Sequence, residues 1–318
     1  MNNFDYKNVL VTGGAGAIGG NLVKMLLAET EAKIIVLDNL SSGHRENIPQ
    51  SNRVIFVEGD IGDDRILNEC GKYNIDVIYH LAAFFANQNS VEHPLDDLKT
   101  NIYGTVRLLE FARQYNVRKF IYFSTSCVYR TNISYMEESD VNYKMETPYA
   151  ISKLTAEHYA KYYHEFHRLP VVIFRIFNSY GPGERPGIYR NAIPNFFAKA
   201  IRGESLVITG TGEETRCFTY VDDVTRAALA AAISEHAPGR VINVGMDGET
   251  KIIELAKKIN DIAGNRAPIE FLPRRIWDQT LRRVPNNQLA RTLLNFESRT
   301  GLDDGLRKTY EWIKNLKV

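Results

Sequence analysis

Short runs of Val, Ile, Leu and aromatic residues alternate along the chain with longer stretches whose apolar positions recur every three or four residues. NVLVTGG (8–14) reads as a buried strand, followed by a helix from about Gly16 to Thr30. KIIVLDN (33–39) is a second strand, and VIFVEGD (54–60) a third with a helix over 64–72 behind it. DVIYHLAA (76–83) and KFIYFSTS (119–126) give strands four and five, with a long helix expected over 95–115 between them. A helix from Tyr149 to about His167 leads into a sixth strand, VVIFRIFN (171–178). Val- and Ile-rich strands alternating with helices imply an α/β fold, a doubly wound parallel sheet covered on both faces.

Beyond Asn178 the rhythm changes. SYGPGERPGIYRNAIP (179–194) is rich in Gly, Pro and Arg. After it come a helix, the strand LVITG (206–210), a helix over 222–236, the strand VINVG (241–245), and helices near 250–263 and 303–315. The expected division is a larger domain over 1–178 and a smaller C-terminal α/β lobe over 179–318. Strand 241–245 could return to the main sheet.

Composition narrows the classes. The chain has 318 residues, 44% hydrophobic and 24% charged, an ordinary globular balance. A net charge of +1, with both signs spread along the chain, gives no basic stripe for nucleic acid. No apolar run approaches the ~20 residues that span a bilayer. The opening MNNFDYKNVLVTGG enters a strand-like run almost at once and does not read as a signal peptide. Cys70, Cys127 and Cys217 are widely spaced and form neither a metal-ligand pattern nor a disulfide framework, which fits a reducing cytoplasm.

Candidate chemistry begins in TGGAGAIGG (12–20), which joins the first strand to the first helix. Gly14 to Gly19 satisfy G-x-G-x-x-G, and Gly13, Gly16 and Gly19 also give G-x-x-G-x-x-G. Glycines let the backbone turn tightly and approach a pyrophosphate resting on the helix N-terminus. Asp38 ends the second strand, where a carboxylate hydrogen-bonds adenosine ribose hydroxyls and repels a 2′-phosphate. The pattern therefore predicts a Rossmann-type site that takes NAD rather than NADP.

Two further groups lie downstream. Ser124, Thr125 and Ser126 end the fifth strand, and ligands of open α/β sheets sit at the carboxyl ends of strands. Tyr149 and Lys153 are four apart in TPYAISKLTAEHY (147–159) and so share one helix face. Pro148 suits the first helical position and Thr147 the cap. The lysine charge and the positive helix end are expected to lower the tyrosine pKa and make it a usable base. Tyr-x-x-x-Lys also occurs at Tyr115/Lys119 and Tyr310/Lys314, so the spacing alone is unspecific. What singles out Tyr149 is its place after a dinucleotide loop and a strand-end hydroxyl.

In this order the segments resemble the extended short-chain dehydrogenases/reductases. They are most similar to the NAD-dependent nucleotide-sugar epimerases and dehydratases, and among these to the UDP-glucose 4-epimerases. The likeness is carried by VTGGAGAIGGNL, LDNLSSG, VEGDI, HLAA, NIYGT, FSTSCVY, YAISK, FRIFNSYGPG, TRCFTYVDD and GL-x-KT-x-EW, and covers nearly the whole chain. It implies NAD binding over 1–178 and nucleotide-sugar binding mainly over 179–318.

The resemblance also assigns residues. Gly13, Gly16, Ala17, Ile18 and Gly19 would hold the pyrophosphate, and Asp38, Asn39, Ser41, Ser42 and Gly43 the adenosine ribose region. Asp60 and Ile61 would flank adenine, while Leu81, Ala82, Ala83, Asn101, Ser124 and Phe177 complete the cofactor site. Tyr149 would be the base and Lys153 would bind the nicotinamide ribose. Counting back from Tyr129 places the family's Ser/Thr at Thr125, with Ser126 next to it. Asn178, Asn191 and Arg216, with Arg275 and Asp278, match positions that hold the nucleotide-sugar diphosphate. Arginine suits such oxygens because its planar fork binds them bidentately.

The reaction the resemblance implies is 4-epimerisation of a UDP-sugar through a 4-keto sugar, in a cytoplasmic homodimer. The alternatives are a 4,6-dehydratase, a keto-sugar reductase, or a non-catalytic NAD-binding protein on the same fold. Family dehydratases carry Asp-Glu after the threonine and decarboxylases keep the glutamate, whereas this chain has Ser126 and Cys127. Cys127 is expected to be a buried, inert thiol, with an acid/base role, which the resemblance allows, as the alternative. Arg130, Phe84, Phe85, Asn286 and Asn287 depart from the family pattern and leave the sugar and the nucleotide open.

Overall fold

The computed structural model describes residues 4–131 and 134–316. The first half winds through β1 (Asn8–Thr12), α1 (Ala17–Glu29), β2 (Lys33–Asp38), β3 (Val54–Glu58), α2 (Asp64–Gly71) and β4 (Val77–His80). It continues through α3 (Asn87–Glu92), α4 (Pro94–Asp97), a π-helical stretch Leu98–Gly104, α5 (Thr105–Gln114) and β5 (Lys119–Thr125). A 3₁₀ turn (Ser126–Val128), α6 (Pro148–His167) and β6 (Val171–Ile176) follow. The second half adds β7 (Ser179–Tyr180), α7 (Ala192–Ile201), β8 (Leu206–Thr209), β9 (Thr215–Arg216), β10 (Thr219–Tyr220) and α8 (Val221–Ile233). It ends with β11 (Val241–Val244), β12 (Thr250–Lys251), α9 (Ile252–Ala263), β13 (Ile269–Leu272), β14 (Arg282–Arg283), α10 (Gln288–Leu294) and α11 (Leu302–Ile313).

Seven strands form one parallel sheet in the order β11-β6-β5-β4-β1-β2-β3. Chain order reverses between β1 and β4, and a crevice opens there at the carboxyl ends of the strands. Alternate residues of each strand enter opposite cores, as the period of two dictates. Val9, Val11, Ile34 and Val36 pack with α1 and α8, whereas Leu10, Ile35 and Leu37 belong to the core that α5 and α6 cover. A separate core joins α7, α9 and α11 to β8.

β11 lies beside β6 in the main sheet, the return that segment 241–245 allowed. α8 and α10 also pack on this sheet through Val224, Ala228 and Leu294, so much of the later sequence covers the larger unit. The single helix expected over 95–115 is instead α4, the π-helical stretch and α5, preceded by the short α3. The Asn101 amide explains the π turn. It donates to Asp97 (2.7 Å) and Phe84 O (3.2 Å) and accepts the Phe84 N–H (2.8 Å), tying the widened turn to the chain leaving β4. β7, β9, β10, β12 and β14 are two residues long, too short for any alternation to show. Among the described residues no helix is long and apolar enough to cross a membrane.

Candidate active site

Two adjoining cavities of about 310 and 360 Å³ open at the carboxyl edge of the main sheet. The first is lined by Gly13, Gly16, Ala17, Ile18 and Gly19 from the loop after β1, and by Asp38, Asn39, Ser41, Ser42 and Gly43 after β2. Asp60, Ile61, Leu81, Ala82, Ala83, Ser124, Thr125, Ser126, Tyr149 and Lys153 complete it. Asn178, Asn191, Arg216, Arg275 and Asp278 line the second. Two residues expected at the cofactor lie elsewhere. Phe177 is fully buried against Tyr129 because Ile176 takes the cleft-facing position, and Asn101 is buried behind Phe84.

The glycine loop fits a pyrophosphate. Gly13 has φ +70°, and a Cβ there would fall 2.6 Å from Ala82 N. A Cβ on Gly19 would fall 2.2 Å from Gly13 O. No side chain caps the start of α1 at Gly16, so its first-turn N–H groups face the cavity mouth. Asp38 braces this loop, its carboxylate accepting the Ala15 N–H (2.9 Å) and the Leu40 N–H (2.8 Å). Burial raises its pKa and those two N–H groups oppose the shift.

Tyr149 stands in the first turn of α6, capped by Thr147, whose Oγ1 accepts the Ala150 N–H (3.3 Å). α3 secures this helix start. Ser90 Oγ accepts the Tyr149 N–H (3.0 Å), and the Thr147 hydroxyl donates to Asn87 Oδ1 (2.8 Å). Phe85 meets the Tyr149 ring edge to face at 6.1 Å. Thr125 hydrogen-bonds the tyrosine hydroxyl and so favours its ionised form.

The electrostatics differ from the sequence expectation. Burial dominates and pushes the Tyr149 hydroxyl well above its ordinary value, with the Cys127 and Asp97 charges adding to the rise. Lys153 Nζ lies over the Tyr122 ring, 4.3 Å from its centre, and burial brings its pKa down to about 7 while Glu157 and Asp97 oppose the shift. Desolvation in this enclosed site thus exceeds the expected help from lysine and helix dipole. His80 is fully buried between Thr12 Oγ1 (2.8 Å) and Thr105 Oγ1 (2.9 Å), and burial holds it neutral.

In the second cavity Arg216 donates to Thr215 O (2.8 Å) and Thr280 O (2.9 Å) and lies 3.8 Å from Asp278. Burial and the neighbouring Arg283 lower its pKa to about 10. Arg275 covers the Trp277 ring, and Asn178 Nδ2 donates to Cys217 O (3.0 Å). Asn191 donates through N and Nδ2 to Glu184, a buried carboxyl whose pKa desolvation raises to about 7.

Sequence reasoning missed Asn87, Ser90, Glu184 and Arg283. No local pattern marks them, because loops from remote parts of the chain bring them to the cleft. Cys127 also departs from expectation. Its thiol is half-buried, lines both cavities, and receives contacts from Asn87 Nδ2 and Arg283 Nη1, each at 3.4 Å. Among the described residues no group of three or more His, Cys, Asp or Glu is placed to hold a metal ion.

Residues 9–245 match the profile of the NAD dependent epimerase/dehydratase family. The solved structure of an epimerase from Methanothermobacter thermautotrophicus superposes with a TM-score of 0.95 at 42% identity, covering 98% of this chain and 93% of that one. UDP-glucose 4-epimerase of Mycolicibacterium smegmatis is 34% identical over 96% of this chain and 98% of its own length. UDP-N-acetyl-alpha-D-glucosaminuronate decarboxylase of Bacillus cytotoxicus is 32% identical, covering 98% of this chain and 99% of that protein.

Proposed function

The chain belongs to the NAD dependent epimerase/dehydratase family, and we propose that it inverts C4 of the sugar in a UDP-sugar through a 4-keto sugar. Residues 1–178 with β11 would hold the cofactor, and most of 179–318 the nucleotide sugar.

The observation that carries this reading is the neutral strand end. Thr125 acts on the Tyr149 hydroxyl in the first cavity, and Ser126 and Cys127 follow it, Cys127 lining both cavities. Dehydration needs a base for the C5 proton, and no carboxylate stands at either of those strand-end positions. Tyr149 would take the C4 hydroxyl proton in its ionised form and later return it; burial opposes that form, and the Thr125 hydroxyl favours it. Lys153, one helical turn on, supplies positive charge when protonated. NAD⁺ held by the glycine loop and the residues after β2 would supply reversible hydride exchange at C4.

Proton NMR of the purified protein with UDP-, dTDP-, CDP- and GDP-sugars, and no added cofactor, tests this. Conversion of a UDP-sugar to its C4 epimer is expected. A stable keto or deoxy-keto product would replace epimerisation with dehydration.

A homodimer fits the outer face of α6. Ile151, Tyr159, Tyr162 and Phe166 share one side of that helix and are exposed by 42–70%. Light scattering at the eluting peak should give twice the chain mass.

A further inference from the structure

β14 pairs with β9 in parallel, with Arg283 in register beside Arg216. Both side chains line the second cavity, so two guanidinium groups share one face of the pair. Like charges set side by side across strands are destabilising unless something neutralises them. Arg216 has Asp278 at 3.8 Å. Arg283 has no carboxylate at ion-pair distance among the described residues. Glu146 and Asp278 line the same cavity short of ion-pair distance; burial raises the pKa of Glu146 and the Arg283 charge opposes the rise.

The donors of Arg283 are underused. Among the described residues Nη2 reaches Thr280 Oγ1 (3.1 Å), Nη1 meets only the Cys127 thiol (3.4 Å), and Nε is buried with no partner. A guanidinium offers five N–H donors in a planar fork that matches a carboxylate. Its place separates it from Arg216 and Arg275. Arg283 touches Cys127, two residues past Thr125, and it lines both cavities, so it sits at the reacting end of the cleft. Cys127 and Asn87, which line both cavities with it, bear no carboxylate that would repel an anionic ring.

We propose that Arg283 selects a carboxylate borne directly on the pyranose ring, which makes the substrate class a nucleotide hexuronate rather than a neutral nucleotide hexose. This rests on the nucleotide-sugar reading above. A neutral hydroxymethyl group in that place would leave the guanidinium without a carboxylate at ion-pair distance.

Calorimetric titration of the NAD-loaded protein with UDP, UDP-glucose, UDP-galactose, UDP-glucuronate and UDP-galacturonate tests the proposal. The hexuronates should bind at least about tenfold tighter than the matching hexoses, a preference worth about 1.4 kcal/mol. Arg283→Gln should bring that ratio within about twofold while UDP itself binds as before, and Arg283→Lys should fall between. Equal wild-type affinities overturn the proposal without any variant having to fold. A preference that survives in Arg283→Gln overturns it too, as does a loss of UDP affinity, which would assign Arg283 to the diphosphate. If UDP binds and the ratio is one, only this proposal falls. If neither UDP nor any of the sugars binds, the nucleotide-sugar reading falls and takes the proposal with it.

Discussion

Glu157 and Arg175 form a two-point ion pair, 3.0 Å from Nε and 2.7 Å from Nη2, with both side chains out of contact with solvent. The pair fastens α6 to β6. Ser124 donates to the same carboxylate (2.5 Å), which draws in the end of β5. Glu157 is one helical turn past Lys153, so this buried link sets the helix carrying Tyr149 and Lys153 against the strand carrying Thr125.

Removing one partner leaves the other charge buried and unpaired. Glu157→Met or Arg175→Met should therefore cost about 3–5 kcal/mol. The double variant should be less destabilised than either single one, because it leaves no orphan charge. Urea denaturation of all four proteins measures both, and purely additive losses would refute the coupling.

Tyr149→Phe deletes the hydroxyl and leaves the ring against Phe85. Turnover should drop roughly 10²–10⁴-fold, the usual share of general acid–base catalysis. Bound NAD, measured after heat release, should match the wild type. Full activity in this variant would end the proposed mechanism.

Asp38→Asn keeps the shape but loses the charge that accepts both the Ala15 and Leu40 N–H groups. Hydrogen bonds to a charged group contribute about 1.5–3 kcal/mol, so NAD should be held roughly 10- to 100-fold less tightly. The variant should also lose its bias against NADP. Cofactor titrations followed by tryptophan fluorescence report both effects.

Glu184 gives a pH dependence of defined sign. Its carboxyl titrates near 7 in the folded chain against an ordinary 4.5, because it is buried. The folded state then keeps a proton that the unfolded state has lost, so this group's contribution to stability is present below about 4.5 and disappears as pH rises through 7. Glu184→Gln should match the wild type near pH 5 and exceed it at pH 8 by about 1–3 kcal/mol. Thermal melts across that range would show the gap opening with pH, and a constant gap would contradict the burial argument.

Much of the frame is legible along the chain because its cause is local. A buried strand announces itself by its Val and Ile run, a dinucleotide turn by glycines that no other residue can replace, and an acid at the end of β2 by its distance from that turn. Thr147, Pro148, Tyr149 and Lys153 read as a helix start for the same reason: cap, proline and spacing all act within one or two turns. What the sequence by itself determined, then, is the doubly wound order, the glycine turn and the Tyr–Lys face.

Tertiary packing decided the rest. The π-helical stretch exists because Asn101 answers the backbone of Phe84, a contact between segments that periodicity treats separately. The pKa values of Tyr149 and Lys153 follow desolvation, which depends on what surrounds a side chain and not on its neighbours in sequence. Arg216 and Arg283 meet only because two-residue strands far apart in the chain fall into register. Spacing reports forces that act along the chain, whereas the charge around the second cavity is set by groups that folding alone brings together.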